Sequence, residues 1–184
     1  MLAFSNDLYE GKTELLLKCE REILQSLNYE IVFPDPFSIL CYDITNCNHS
    51  IFINENQTEL AYYCGGYMID LSLFDEDLMN TSVVLLVAAA AETALYFVLE
   101  DVNSGLEPVW SKWRAPHTAK RYSEDDLSRV RARLIEKIAE SNRRHTDGEI
   151  VFKKYSRSRY GKISRFLGNK VRLFLAPECP INLN

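Results

Sequence analysis

The chain has 184 residues and a mass of 21.3 kDa, enough for one full domain and part of a second. Hydrophobic residues make up 47% and charged residues 26%, with seven glycines and six prolines, which excludes a disordered, collagen-like or linker-like chain. The formal charge of −5 conceals an asymmetry: residues 1–152 carry 13 Lys/Arg against 25 Asp/Glu, whereas residues 153–184 carry eight against one.

Apolar periodicity is helical nearly throughout, and no alternating strand pattern runs for more than a few residues. The first expected helix covers 11–28, where Leu16, Cys19, Ile23 and Leu27 recur on one face. It must end before Pro34 and Pro36, which remove backbone donors and push their predecessors into extended geometry. This is the clearest boundary in the chain. A second helix opens at Pro36, whose ring suits a first turn, and aligns Phe37, Leu40, Cys41 and Ile44. After a polar loop over 46–57, a third covers 58–71, with Leu60, Cys64, Tyr67, Met68 and Leu71 inward. Gly65 and Gly66 inside it imply either a closely approaching neighbour or a kink.

Thr81 and Ser82 introduce the run VVLLVAAAAETALYFVL at 83–99, apolar on every side and so suited to the middle of a bundle. It is too short, and Glu92 too costly at a bilayer centre, for a membrane span. Residues 101–121, with Gly105, Pro108 and Pro116, read as an irregular connection carrying Trp110 and Trp113. Ser123 and Asp126 form a capping box with Asp in place of Glu, so a helix is expected from Glu124 to about residue 142, with Leu127, Val130, Leu134, Ile135 and Ile138 inward. A last short helix covers 149–155. The fold class that follows is all-α, five helices from residue 34 onward with the alanine-rich one central.

Chemistry-bearing motifs are sparse. Residues 1–6 lack the basic start and apolar run of a secretory leader, so Cys19, Cys41, Cys47, Cys64 and Cys179 are expected as reduced, buried thiols. Cys41, Cys47, His49 and Cys64 lack the paired spacing of a structural zinc site. The phosphate loops GxGxxG and GxxxxGK[ST] are absent, and His49, His117 and His145 have no serine elbow or metal spacing beside them. No cofactor, small-molecule substrate or catalytic role is expected. The basic run 153–172 is read as a solvated face whose aromatics serve the core, with contact to nucleic-acid phosphates as the alternative.

Four segments, in order, resemble the mitotic A/B-type cyclins. EREILQSLNYEIVFPDP at 20–36 is similar to the end of the first cyclin fold, where E-x-x-I-L-x-x-L-x-[FY] runs into a Pro-x-Pro-like junction. LAYY at 60–63 with IDLSL at 69–73 resembles L-A-x-Y-L-x-E-L-x-L, and NTS at 80–82 stands before an alanine-rich helix as Pro-Ser does in the family. YSEDDL at 122–127 matches Y-[ST]-x-x-x-L, and FKKYSRSRYGKIS at 152–164 matches the closing K-Y-x-x-S-[KR]-x-x-x-[IV]-S.

The resemblance implies three regions: a remnant of the N-terminal cyclin box at 1–32, a complete C-terminal cyclin domain at 33–168, and a tail at 169–184. It implies a regulatory subunit that binds and activates a cyclin-dependent protein kinase, in the nucleus and cytoplasm, with nucleic acid and membrane not expected as partners. Carried over onto matching positions, Glu20, Ile23, Leu24, Leu27 and Tyr29 are the expected kinase-facing residues, Glu20 as interface carboxylate and Tyr29 as the aromatic packing on the kinase's regulatory C-helix. The earlier helices of the first box, its MRAIL-like docking segment and its glutamate-pairing basic residue find no match, so the chain reads as either a fragment or a shortened cyclin. A cyclin-fold module of transcription-factor type, using the basic segment, is the other reading.

Overall fold

The computed structural model describes residues 12–31, 34–47, 54–100, 108–141 and 148–176. Every regular element among them is helical, and they fall into two compact units, residues 1–34 and 35–184.

The first unit contributes helix α1, Thr13–Ser26. Its C-terminus closes as a Schellman motif: the Tyr29 N–H donates to the Leu24 carbonyl at 2.8 Å and the Asn28 N–H to the Gln25 carbonyl at 3.0 Å. Asn28 is left-handed at φ +50°, a conformation asparagine tolerates, and Tyr29 follows at φ +59°, a rare one for a bulky aromatic.

The second unit begins with α2, Pro36–Thr45, whose first turn is capped by Asp35 accepting from Phe37 and Ser38 N–H. Helix α3, Glu55–Ser72, starts earlier than the expected residue 58, because Asn54 and Gln57 make a reciprocal capping box. Short α4, Glu76–Met79, leads into α5, Val83–Leu99, whose side chains from Leu85 to Phe97 are all buried. A 3₁₀ turn at Trp110–Trp113 and helix α6, Pro116–Arg121, occupy the stretch expected to be irregular. Pro116 sits in the first turn of α6, where a missing N–H costs nothing. Helix α7, Glu124–Ser141, begins where the Ser123 hydroxyl accepts the Asp126 N–H. Helix α8, Glu149–Tyr155, is followed by a 3₁₀ turn at Ser158–Tyr160 and by α9, Ile163–Leu175. The folded unit therefore passes residue 168, where a tail was expected to begin: Val171 in α9 is fully buried.

The all-α expectation holds, with α5 at the centre packed against α2, α3, α7 and the tryptophan turn. The two glycines of α3 are explained by close approach. A Cβ on Gly65 would lie 2.6 Å from Leu40 Cδ1 of α2, and one on Gly66 would meet Phe37 and the Tyr155 hydroxyl at 3.3 Å. No helix among the described residues is long and apolar enough to cross a membrane.

Candidate functional site

The residues expected to face a partner share one strip of α1. Glu20, Ile23, Leu24 and Leu27 are spaced three and four apart, the spacing that makes side chains neighbours on a helix surface. Glu20 is exposed, Ile23 is 59% and Leu27 45% exposed, and Leu24 is half-buried. Tyr29, 61% exposed, follows the Schellman turn that closes α1. Leu15, Leu16 and Leu17 are also exposed, and α1 has no buried residue. An apolar strip beside a carboxylate is suited to a protein contact: the apolar groups supply desolvated area and the charge fixes register.

The second unit holds two polar clusters that the sequence reading passed over. Glu92, in the middle of α5, is 1% exposed and takes bonds from Arg114 Nε at 2.5 Å and Arg131 Nη1 at 2.6 Å. Both arginines reach on to Glu124 at the start of α7, and Arg131 lies 4.9 Å from the centre of the Trp110 ring. Burial raises the Glu92 pKa, and the two guanidinium groups oppose that rise. The signal for this cluster was Glu92 itself, since a carboxylate in a helix buried on all sides requires cationic partners.

The second cluster joins Asp43 of α2 to His117 of α6. His117 had been read as a loop residue with nothing to recruit it; its Nε2 stands 3.0 Å from Asp43 Oδ1. The approach is within ion-pair range, but among the described residues no well-directed hydrogen bond reaches either Asp43 oxygen, and the buried Thr118 hydroxyl is also without one. Burial pushes the Asp43 carboxyl up to about 6, His117 opposes the shift, and Glu92 adds to it. No described serine or cysteine hydrogen-bonds to His117.

The thiols divide. Cys47 and Cys64 are buried, with burial raising the pKa of both, whereas Cys19 and Cys41 are exposed, contrary to the expectation of buried cysteines throughout. His49 and Cys179 lie outside the described residues. A cleft of about 630 Å³ between the α4–α5 connection and α7 and an apolar groove of about 380 Å³ between α2 and α3 do not contain either polar cluster.

These features define a helical scaffold in which buried charged groups lock helices together, with exposed apolar side chains on the helix that precedes the main core in the chain. The sequence model of the cyclin C-terminal domain matches residues 43–168, and the chain belongs to the cyclin family. Cyclin domains are regulatory rather than catalytic, and they imply a protein-kinase partner in general. No curated protein and no solved structure matches the chain.

Proposed function

We propose that this chain is a mitotic-type cyclin: a non-catalytic regulatory subunit that binds and activates a cyclin-dependent protein kinase in cell-cycle control, in the nucleus and cytoplasm. In this reading residues 1–32 are the last helix of an N-terminal cyclin box and residues 33–168 the C-terminal domain. The observation that carries it is the strip on α1, apolar and solvent-exposed, with Glu20 beside Ile23, Leu24, Leu27 and Tyr29. Large exposed apolar groups gathered on one helix favour association with a partner.

Activation follows as a population shift. A cyclin that binds the active arrangement of its kinase more tightly than the inactive one raises the fraction of kinase in which the ATP-positioning Lys–Glu pair is formed. All catalytic groups then belong to the kinase, and no metal or cofactor is needed on this chain.

The test is capture of purified cyclin-dependent kinases by the full chain, with kinase activity measured on the recovered complex. Ile23→Asp/Leu27→Asp places two charges on the strip and leaves the sequence of residues 35–184 unchanged. Capture and activation should fall at least about ten-fold while the thermal melt is unchanged, since desolvated contacts of this kind carry one or more kcal/mol each. Failure of every kinase in the panel to bind the unmodified chain would overturn the reading.

A further inference from the structure

One corner of the second unit carries charge that no described residue neutralises. Several cations elsewhere in the unit meet carboxylates: Arg114 and Arg131 meet Glu92 and Glu124, Arg133 and Lys137 meet Asp75, and Lys154 meets Asp70, whereas Lys120, Arg121 and Arg172 pair with no described carboxylate. Arg157, Arg159, Lys162 and Arg165 are all exposed, and none forms an ion pair with a described residue. The chain has five more acids than bases, so the absence of a counter-charge at this corner is not a shortage of acids.

The backbone draws these four residues together. The 3₁₀ turn at Ser158–Tyr160 ends at Gly161, φ +62°, and Lys162, φ +56°. The Lys162 N–H then donates to the Arg157 carbonyl at 3.2 Å, and the Arg165 N–H to the Lys162 carbonyl at 3.1 Å. A left-handed conformation is disfavoured for a residue with a Cβ, so the corner holds Lys162 against its own backbone preference. Helix α9 begins at the next residue and directs the positive end of its dipole to the same corner.

Four like charges on one exposed turn repel one another, and a multiply charged anion relieves that repulsion. Three of the four are arginines, whose planar forks meet the oxygens of a phosphate two at a time. A long polyanion fits less well. Base stacking needs free aromatic faces, but Tyr160 is packed against Tyr155 and Tyr63, and Phe166 is half-buried against the core. The acid surplus of residues 1–152 would also repel an extended nucleic acid. We propose that Arg157, Arg159, Lys162 and Arg165 form a docking site for phosphorylated peptide segments, binding the dianion of phosphoserine or phosphothreonine. On a kinase-activating subunit such a site would hold already-phosphorylated proteins near the kinase, but the binding itself needs only this chain.

The experiment titrates the full chain with a degenerate peptide library bearing a central phosphothreonine and with the same library bearing threonine. The phosphorylated library should bind at least about ten-fold more tightly, and Arg157→Glu/Arg159→Glu and Lys162→Glu/Arg165→Glu should each weaken it by about ten-fold or more, while Lys120→Glu/Arg121→Glu on α6 leaves it unchanged. Circular dichroism of each variant separates lost binding from lost folding. Equal binding of the two libraries overturns the proposal, as does indifference to both reversals. Tighter binding of a single-stranded oligonucleotide that displaces the peptides also overturns it, in favour of a nucleic-acid contact. Kinase capture on the same preparations keeps the two readings apart: phosphopeptide binding without capture sinks the kinase reading alone, and capture without phosphopeptide binding sinks this one.

Discussion

Asp43 is held in a state its surroundings disfavour. It is 2% exposed, no hydrogen bond of good geometry reaches its oxygens from the described residues, and burial pushes its carboxyl up to about 6 from an ordinary 3.8. A raised carboxyl pKa means the folded chain binds the proton more tightly than the unfolded chain does. Stability from this group is therefore greatest below about pH 4, falls as pH rises through about 6, and levels off above, a total loss of about 3 kcal/mol. The groups facing it are His117 and Glu92. Asp43→Asn removes the charge at constant shape and should stabilise the fold by about 1–3 kcal/mol near neutral pH, with the gain vanishing near pH 4. Denaturant unfolding of the two proteins across pH checks this; parallel pH curves would show that Asp43 is charged without penalty. At Gly65 the same scale gives the opposite sign. Gly65→Ala gains about 1 kcal/mol of helix propensity but drives a methyl into Leu40, which is itself fully buried, at a cost of about 1–3 kcal/mol. The net expectation is a lower thermal midpoint, restored by Leu40→Val in the double variant.

Helices α5 and α7 and the tryptophan turn are joined through one ionic knot. Asp75 makes a second, smaller link, capping Leu78 at the start of α4 and pairing with Arg133 of α7 at 2.6 Å. In the knot, Arg131→Met leaves Glu92 with one of its two cations, and Glu92→Gln leaves the buried Arg131 with Glu124 alone. Breaking one side of a buried pair typically costs about 3–5 kcal/mol because a charge remains in low dielectric. Each single variant should melt well below the parent, and Glu92→Gln/Arg131→Met together should be less damaging than the sum of the two. Additive losses would mean that the residues do not act as a unit.

Element type was legible wherever caps and apolar spacing coincided: Pro36 after Asp35, Ser123 before Asp126, and the apolar run at 83–99 mark helices the structure contains. Three helices were not read. Helix α4 has four residues, too few for a period, and Pro116 was taken as a breaker when it occupies a first turn. Helix α9 carries Ile163, Leu167 and Val171 at spacings of four, a helical signal present in the sequence but overshadowed by its cations. The residues of the α1 strip came from the resemblance to the cyclins, whereas spacing alone aligned Leu16, Cys19, Ile23 and Leu27. The ionic knot was not legible, because Glu92 and Arg131 are 39 residues apart and only the packing of α7 on α5 brings them together.

At the scale of the whole chain the two units have unequal means of holding themselves folded. Residues 35–184 contain the core around α5, with Tyr67, Phe97, Leu95 and Leu134 fully buried. Helix α1 has 14 residues, no side-chain cap at its N-terminus and no buried residue. Isolated helices of about this length are marginal in water, because nucleation is costly and tertiary packing normally supplies the balance. Produced separately, residues 35–184 should show a helical spectrum and a cooperative melt, whereas a peptide of residues 1–34 should be mostly unstructured. If α1 carries the kinase contact, the peptide should gain helicity when the kinase is added, and residues 35–184 alone should lose capture while keeping their fold. Capture undiminished after removal of residues 1–34 would place the contact on the second unit and leave the exposed strip of α1 without a role in kinase binding.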